Sequence, residues 1–113
     1  MAVTAKVLLE GKSIEVAQTT QYTSPVDGKG TIIDKVAGTN TGGAAKKISI
    51  YIVPFGGAAA DANLVAKDVS IGSASSYTFP ELSGFVMAAG SFISTNSTGN
   101  PFINLRITGR EIT

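Results

Sequence analysis

In the run Lys46-Lys47-Ile48-Ser49-Ile50-Tyr51-Ile52-Val53-Pro54, isoleucines alternate with residues of a different character. A period of two marks a strand buried on one side only, because successive side chains point to opposite faces of a sheet. Ile48, Ile50 and Ile52 are therefore expected on a core face, with Lys47, Ser49, Tyr51 and Val53 opposite. Pro54 has no N–H to give a ladder and ends the strand. Residues 102–108 repeat the pattern with Ile103, Leu105 and Ile107 in phase. Ile112 falls out of that phase, which predicts a bulge or bend at Gly109.

The rest of the chain punctuates in the same way. Residues 2–9 and 13–22 read as extended, with a turn at Glu10-Gly11-Lys12, and 24–30 as a loop in which Asp27-Gly28 supplies a tight turn. Residues 31–37 return to β-branched types, then pass through the glycine-rich stretch 38–43 to the 46–53 strand. These two strands are expected to pair antiparallel as neighbours. Residues 55–63 read as a surface loop, and 64–71 and 75–79 as short strands around Gly72-Ser73-Ala74, the second closed by Pro80. Residues 85–87 and 91–95 add two more, followed by a turn over 96–101. The total is eight to nine short strands with turn signals about every ten residues and no helical period, the spacing of an all-β protein. The expected fold is an antiparallel β-sandwich, a jelly roll or related Greek key, because two packed sheets bury each apolar row without a helix. At 113 residues the chain suits one domain over 1–113, with 1–12 a candidate N-terminal arm.

Composition narrows the chemistry. Only 15% of residues are charged and the formal net charge is +1, so the basic stripe that binds nucleic acid is missing. The adjacent pair Lys46-Lys47 reads instead as a guard on a strand start. Histidine and cysteine are both absent, which removes Ser-His-Asp and Cys-His catalysis and zinc sites of nitrogen or sulfur type. A glycosidase would need a placed carboxylate pair, and no spacing singles one out. Gly28-Lys29-Gly30 and Gly42-Gly43 lack any phosphate-loop fingerprint, and Asp27, Asp61 and Asp68 do not form the Asp-x-Asp run of a calcium loop. No catalytic residue, cofactor or metal is assigned, and the chain is expected not to be an enzyme. The N-terminal apolar run is interrupted by Lys6 and too short for a signal peptide, and no apolar run is long enough to span a membrane. The reading is of a protein made in a cytoplasm, with neither membrane nor nucleic acid as partner.

A weakly charged surface suits contact with other proteins. The candidate interface residues are Val3, Val7 and Leu8 in the N-terminal segment, Phe55 in the small-residue loop, and the aromatics Tyr51 and Tyr77. Such side chains order against a partner at little desolvation cost. Several pieces, namely Tyr22-Thr23-Ser24-Pro25 leading to Gly30-Thr31-Ile32-Ile33, Thr39-Asn40-Thr41, Ile50 to Gly56, Val86-Met87-Ala88-Ala89-Gly90 and Thr108-Gly109-Arg110-Glu111-Ile112, are together similar to the small β-sandwich virion proteins of tailed bacteriophages, the group that includes capsid cement or decoration proteins. Relatives in that group often carry Asp where this chain has Ser91. The resemblance implies a structural protein located in the virion, a homo-oligomer with a trimer favoured over a dimer, and the major capsid protein as partner. The alternative is a carbohydrate-binding, tail-fibre or neck module that stacks Tyr51 or Tyr77 on sugar rings.

Overall fold

A computed structural model describes residues 2–98 and 103–113. The strands are β1 (Val3–Ser13), β2 (Thr19–Thr23), β3 (Gly30–Asn40), β4 (Lys46–Val53), β5 (Leu64–Ile71), β6 (Ser76–Thr78), β7 (Val86–Met87), β8 (Phe92–Ser97) and β9 (Ile103–Ile112). Single 3-10 turns at Asp61–Asn63 and Pro80–Leu82 interrupt them. One sheet has the order β1-β9-β3-β6 with β7 beside β3, and the other has the order β2-β8-β4-β5. Every pairing is antiparallel.

The pairings nest. β1 runs along β9, β2 along β8, β3 along β6 and β4 along β5, as in one long hairpin whose tip lies between β4 and β5. Rolling that hairpin brings β9 against β3 and β8 against β4. This is the jelly roll among the two topologies expected. The inner faces of both sheets meet in one core that includes Ile33, Val36, Ile48, Ile50, Ile71, Phe79, Leu82, Met87, Ile93, Ile103, Leu105 and Ile107, all essentially sealed from solvent. Residues from either sheet interdigitate as in any aligned sandwich.

Four local expectations are corrected. The Glu10-Gly11-Lys12 turn is absent: β1 runs through it, and bulges between Val7 and Leu9 and between Leu9 and Lys12 bend the strand without ending it. Within the candidate arm, residues 3–12 belong to an edge strand held along β9. The strands at 31–37 and 46–53 are not neighbours, since β3 and β4 lie in opposite sheets. The connection between them is tied by buried Asn40, whose Nδ2 donates to the carbonyls of Ala44 (2.8 Å) and Ile71 (2.9 Å) while its Oδ1 accepts from the Gly42 N–H (2.8 Å). Those bonds satisfy a crossing backbone that a hairpin would have satisfied by itself. Within β4, Ile48 and Ile50 are core, but Ile52 is only half-buried, and Ser49 and Val53 on the opposite face are buried. Ser49 is covered by β5, where its Oγ accepts from the Asp68 N–H at 2.9 Å and Asp68 turns into the left-handed region at φ 47°.

Gly109 is the fourth. β9 keeps its alternation through 103, 105, 107 and 109, and the bulges lie in its neighbours, at Asp34 of β3 and Leu8 of β1. Ile112 is out of phase simply because it belongs to the outer face. The displaced neighbours crowd Gly109, where an added Cβ would sit on the Ile32 carbonyl oxygen and 2.9 Å from Leu8 Cδ1. Of the turn expected over 96–101, Asn96 and Ser97 belong to β8, and residues 99–101 lie outside the described residues. Leu105→Ala is expected to cost about 2–5 kcal/mol through the cavity left in the core, and Gly109→Ala about 1–3 kcal/mol through overpacking. Urea unfolding with an unchanged slope is the measurement for both.

Candidate interaction surface

Among the described residues, the large apolar side chains left exposed are Val3, Val7, Val16, Val26, Phe55 and Val86. Val3, Val26, Phe55 and Val86 belong to segments that meet at one end of the sandwich, while Val7 lies further along β1, opposite Thr108. Val3 is in register with Ile112, whose carbonyl accepts from Lys29 N–H in the loop that carries Val26. Glu111 is in register with Thr31, and Thr31 with Met87 beside Val86. The loop carrying Val26 and the one carrying Gly90 are joined by Ser24 N–H to Ser91 O (2.8 Å) and Gly90 N–H to Ser24 O (3.0 Å). Phe55 and Val26 both close on Gly90, each within 2.9 Å of where a Cβ would stand, and its φ of +79° is itself one that favours glycine. Phe55 is 72% exposed and Val86 68%. Apolar surface gathered in this way marks an interaction site more often than scattered single residues do.

The six residues expected at an interface are distributed unevenly over this surface. Val3 and Val7 lie on the outer face of β1 and are 55% and 40% exposed, and Phe55 lies at the loop end. Leu8 is in the core: as the extra residue of a bulge it turns inward beside Leu9, so it is not available to a partner. Tyr77 is half-buried against the core, its ring meeting Phe79 edge-on at 4.8 Å and 84°. Tyr51 is half-buried on the outer face of the other sheet, in register with Ser94 and Leu64. Val26 and Val86 escaped sequence reading because one stands in a loop and the other in a two-residue strand, where no alternation shows a face.

Behind this end lies a polar cluster that joins the sheets. Tyr22 of β2 donates its hydroxyl to Glu111 of β9 and lies 3.1 Å from Thr31 Oγ1 of β3, which in turn meets buried Ser24 Oγ at 2.7 Å. Lys6 of β1 reaches the same carboxylate at 3.2 Å. The Tyr22 hydrogen bond foremost, with Lys6 in support, holds the Glu111 carboxyl below its ordinary range. Burial foremost, then the hydrogen bond to Glu111, pushes the Tyr22 phenol up to about 12.

The outer face of the second sheet is polar instead. Gln18 Nε2 donates to Ser94 Oγ (2.7 Å), and Asn96 Nδ2 donates to Gln18 Oε1 (2.8 Å). The carboxylates are engaged with cations at Glu15 to Lys12 (3.1 Å), Asp34 to Arg110 (2.8 Å) and Glu10 to Arg106 (3.7 Å). Glu15 is also held below its ordinary range, first by the hydrogen bond from Gln21, which is the direction opposite to that of a general acid. Among the described residues no three carboxylates converge as a metal site would require. No known protein family matches the chain, and no match was found among curated proteins or solved structures.

The cluster predicts two pH limbs. Glu111 is depressed, so its contribution to stability is present above the ordinary carboxylate range and lost as pH falls through its folded value. Tyr22 keeps its proton when folded up to about 12, against 10.0 for the unperturbed phenol. Its contribution is therefore present below pH 10 and lost between 10 and 12. Melting temperatures across pH should show a flatter acid limb for Glu111→Gln and a flatter alkaline limb for Tyr22→Phe.

Proposed function

We propose that the protein is a non-enzymatic structural protein of a tailed-phage virion, a cement or decoration protein that seats on the capsid and bridges neighbouring major capsid subunits. The observation that carries this reading is the apolar end built by Phe55, Val26 and Val86 on a jelly roll, an architecture that viral shells share with lectins and cupins. The resemblance of residues 22–112 to such virion proteins adds to it. Mechanism here is buried area. A contact of roughly 800 Å² per partner, repeated across a symmetric shell, resists internal pressure although each contact is modest. Phe55 supplies the aromatic anchor around which such an interface gains most of its affinity.

A second reading has one observation in its favour. Tyr51 shares a sheet face with the hydrogen-bonded amides and hydroxyl of Gln18, Asn96 and Ser94, the mixture of ring and polar groups that holds a sugar. On this reading the chain is a carbohydrate-binding module of a virion tail or neck.

Co-sedimentation with empty shells of the major capsid protein from the same genome tests the first reading. The wild type is expected in the pellet, and Phe55→Asp is expected to weaken binding at least about tenfold, the loss of one interface anchor, with an unchanged melting temperature because Phe55 is exposed. Wild type remaining in the supernatant overturns the proposal. Glycan-array binding that Tyr51→Ala abolishes would install the second reading in its place.

A further inference from the structure

The long edge strand β1 is left open over Val3–Val7 in a way that no other edge of the described sheets is. β6 has three residues and β7 two. β5 is broken by the left-handed Asp68, and β2, five residues long, carries a bulge between Thr20 and Tyr22. Such devices keep sheet edges from pairing. β1, by contrast, runs without a bulge from Val3 opposite Ile112 to Val7 opposite Thr108.

The direction of its free backbone groups follows from the ladder. Ala2 and Thr113 exchange both hydrogen bonds, at 3.1 and 2.9 Å. Antiparallel pairs alternate, so Thr4 and Lys6 also spend their N–H and C=O on β9, while those of Val3, Ala5 and Val7 point away from the sheet. The side chains of Val3, Ala5 and Val7 share the outer face with Ile112 and Arg110, their register partners or neighbours on β9.

We infer that this edge pairs with the same edge of a second copy, antiparallel about a twofold axis through Ala5. Val3 then meets Val7 of the second copy, Ala5 meets Ala5, and Val7 meets Val3, each pair exchanging two bonds between groups that already point outward. The side-chain order selects this register. Centring on Lys6 would set two lysines directly opposite, a destabilising like-charge pair, and centring on Val7 would run into the Leu8 bulge. Centring on Thr4 sets Val3 against Ala5 and takes the valines of the two copies out of register with one another. About Ala5, Lys6 faces the uncharged Thr4 of the second copy, and in the next strand Thr4 stands beside Glu111, so each added lysine approaches a carboxylate. The valines become one apolar stripe across the joint. The two four-strand paths β1-β9-β3-β6 continue into one another, a closed isologous dimer in place of the expected trimer.

The inference does not rest on the capsid reading. A dimer that ignores capsid shells overturns that reading alone, and a shell-binding monomer overturns this one alone. Sedimentation velocity of the full chain over a range of concentrations is expected to show mass rising from 11.5 kDa towards twice that value. Ala5→Pro removes an outward N–H and suits an edge position, so it should weaken dimerisation at least about tenfold and leave the melting temperature nearly unchanged. Thr4→Pro, which removes a donor inside the β9 ladder, should destabilise the fold. Because the chain has no cysteine of its own, Ala5→Cys reports the axis directly: under mild oxidation it should cross-link as a dimer, and Val7→Cys should not. A monomer or trimer at every concentration, a dimer that Ala5→Pro leaves intact, or equal cross-linking at both positions would overturn the pairing. If Ala5→Pro does not fold, the two cysteine variants decide.

Discussion

The inner row of β9 is the element on which the rest of the structure depends. Ile103, Leu105 and Ile107 are all sealed from solvent, and their strand lies between β1 and β3, pairing with both. Removing β9 would leave β1 with no partner in its sheet and both inner faces open to water. Since apolar burial is the main force holding such a sandwich, the last strand of the chain completes the sheet begun by the first. Nearly every stabilising pairing is therefore distant in sequence, and loop-closure entropy must be met before contacts repay it, which is the usual reason sandwiches fold slowly.

Apolar rows alone do not specify which sheet a strand joins. Polar ties add that information where the chain crosses between sheets. Asn40 holds the β3 to β4 crossing by three hydrogen bonds, and Tyr22, Thr31, Ser24 and Glu111 hold β2 against β3 and β9. No buried side-chain nitrogen or oxygen among the described residues lacks a partner. A half-satisfied network in such a place would destabilise the fold more than an apolar one.

The same economy shapes the surface. Interior polar groups are paired and several surface carboxylates face cations, so what stands out is apolar side chains at one end and open backbone along one edge. Two different kinds of contact suit two different features: side-chain anchors for a curved partner surface, and ladder hydrogen bonds for an extended one. The two features lie on different sheets, since β1 is the edge of one and Phe55 follows β4 of the other.

Period-two alternation made the strands legible, and the lack of any helical period made the all-β class legible with them. Val3, Val7 and Phe55 were readable as exposed apolar residues because they stand outside any core-facing row. Leu8 was misread for the same reason that Glu10 to Lys12 looked like a turn: a bulge changes the phase of a strand, and only its neighbour's register shows where. The β3 to β4 pairing failed because a short polar loop serves a hairpin and a sheet crossing equally well, and the difference lies in Asn40 reaching Ile71, thirty-one residues away. The run at 46–54 by itself determined a strand with an isoleucine face, since that depends only on local backbone geometry. Its sheet, its neighbours and the burial of Ser49 and Val53 on the supposed outer face were decided by tertiary structure alone, because they depend on which distant segments come to cover them.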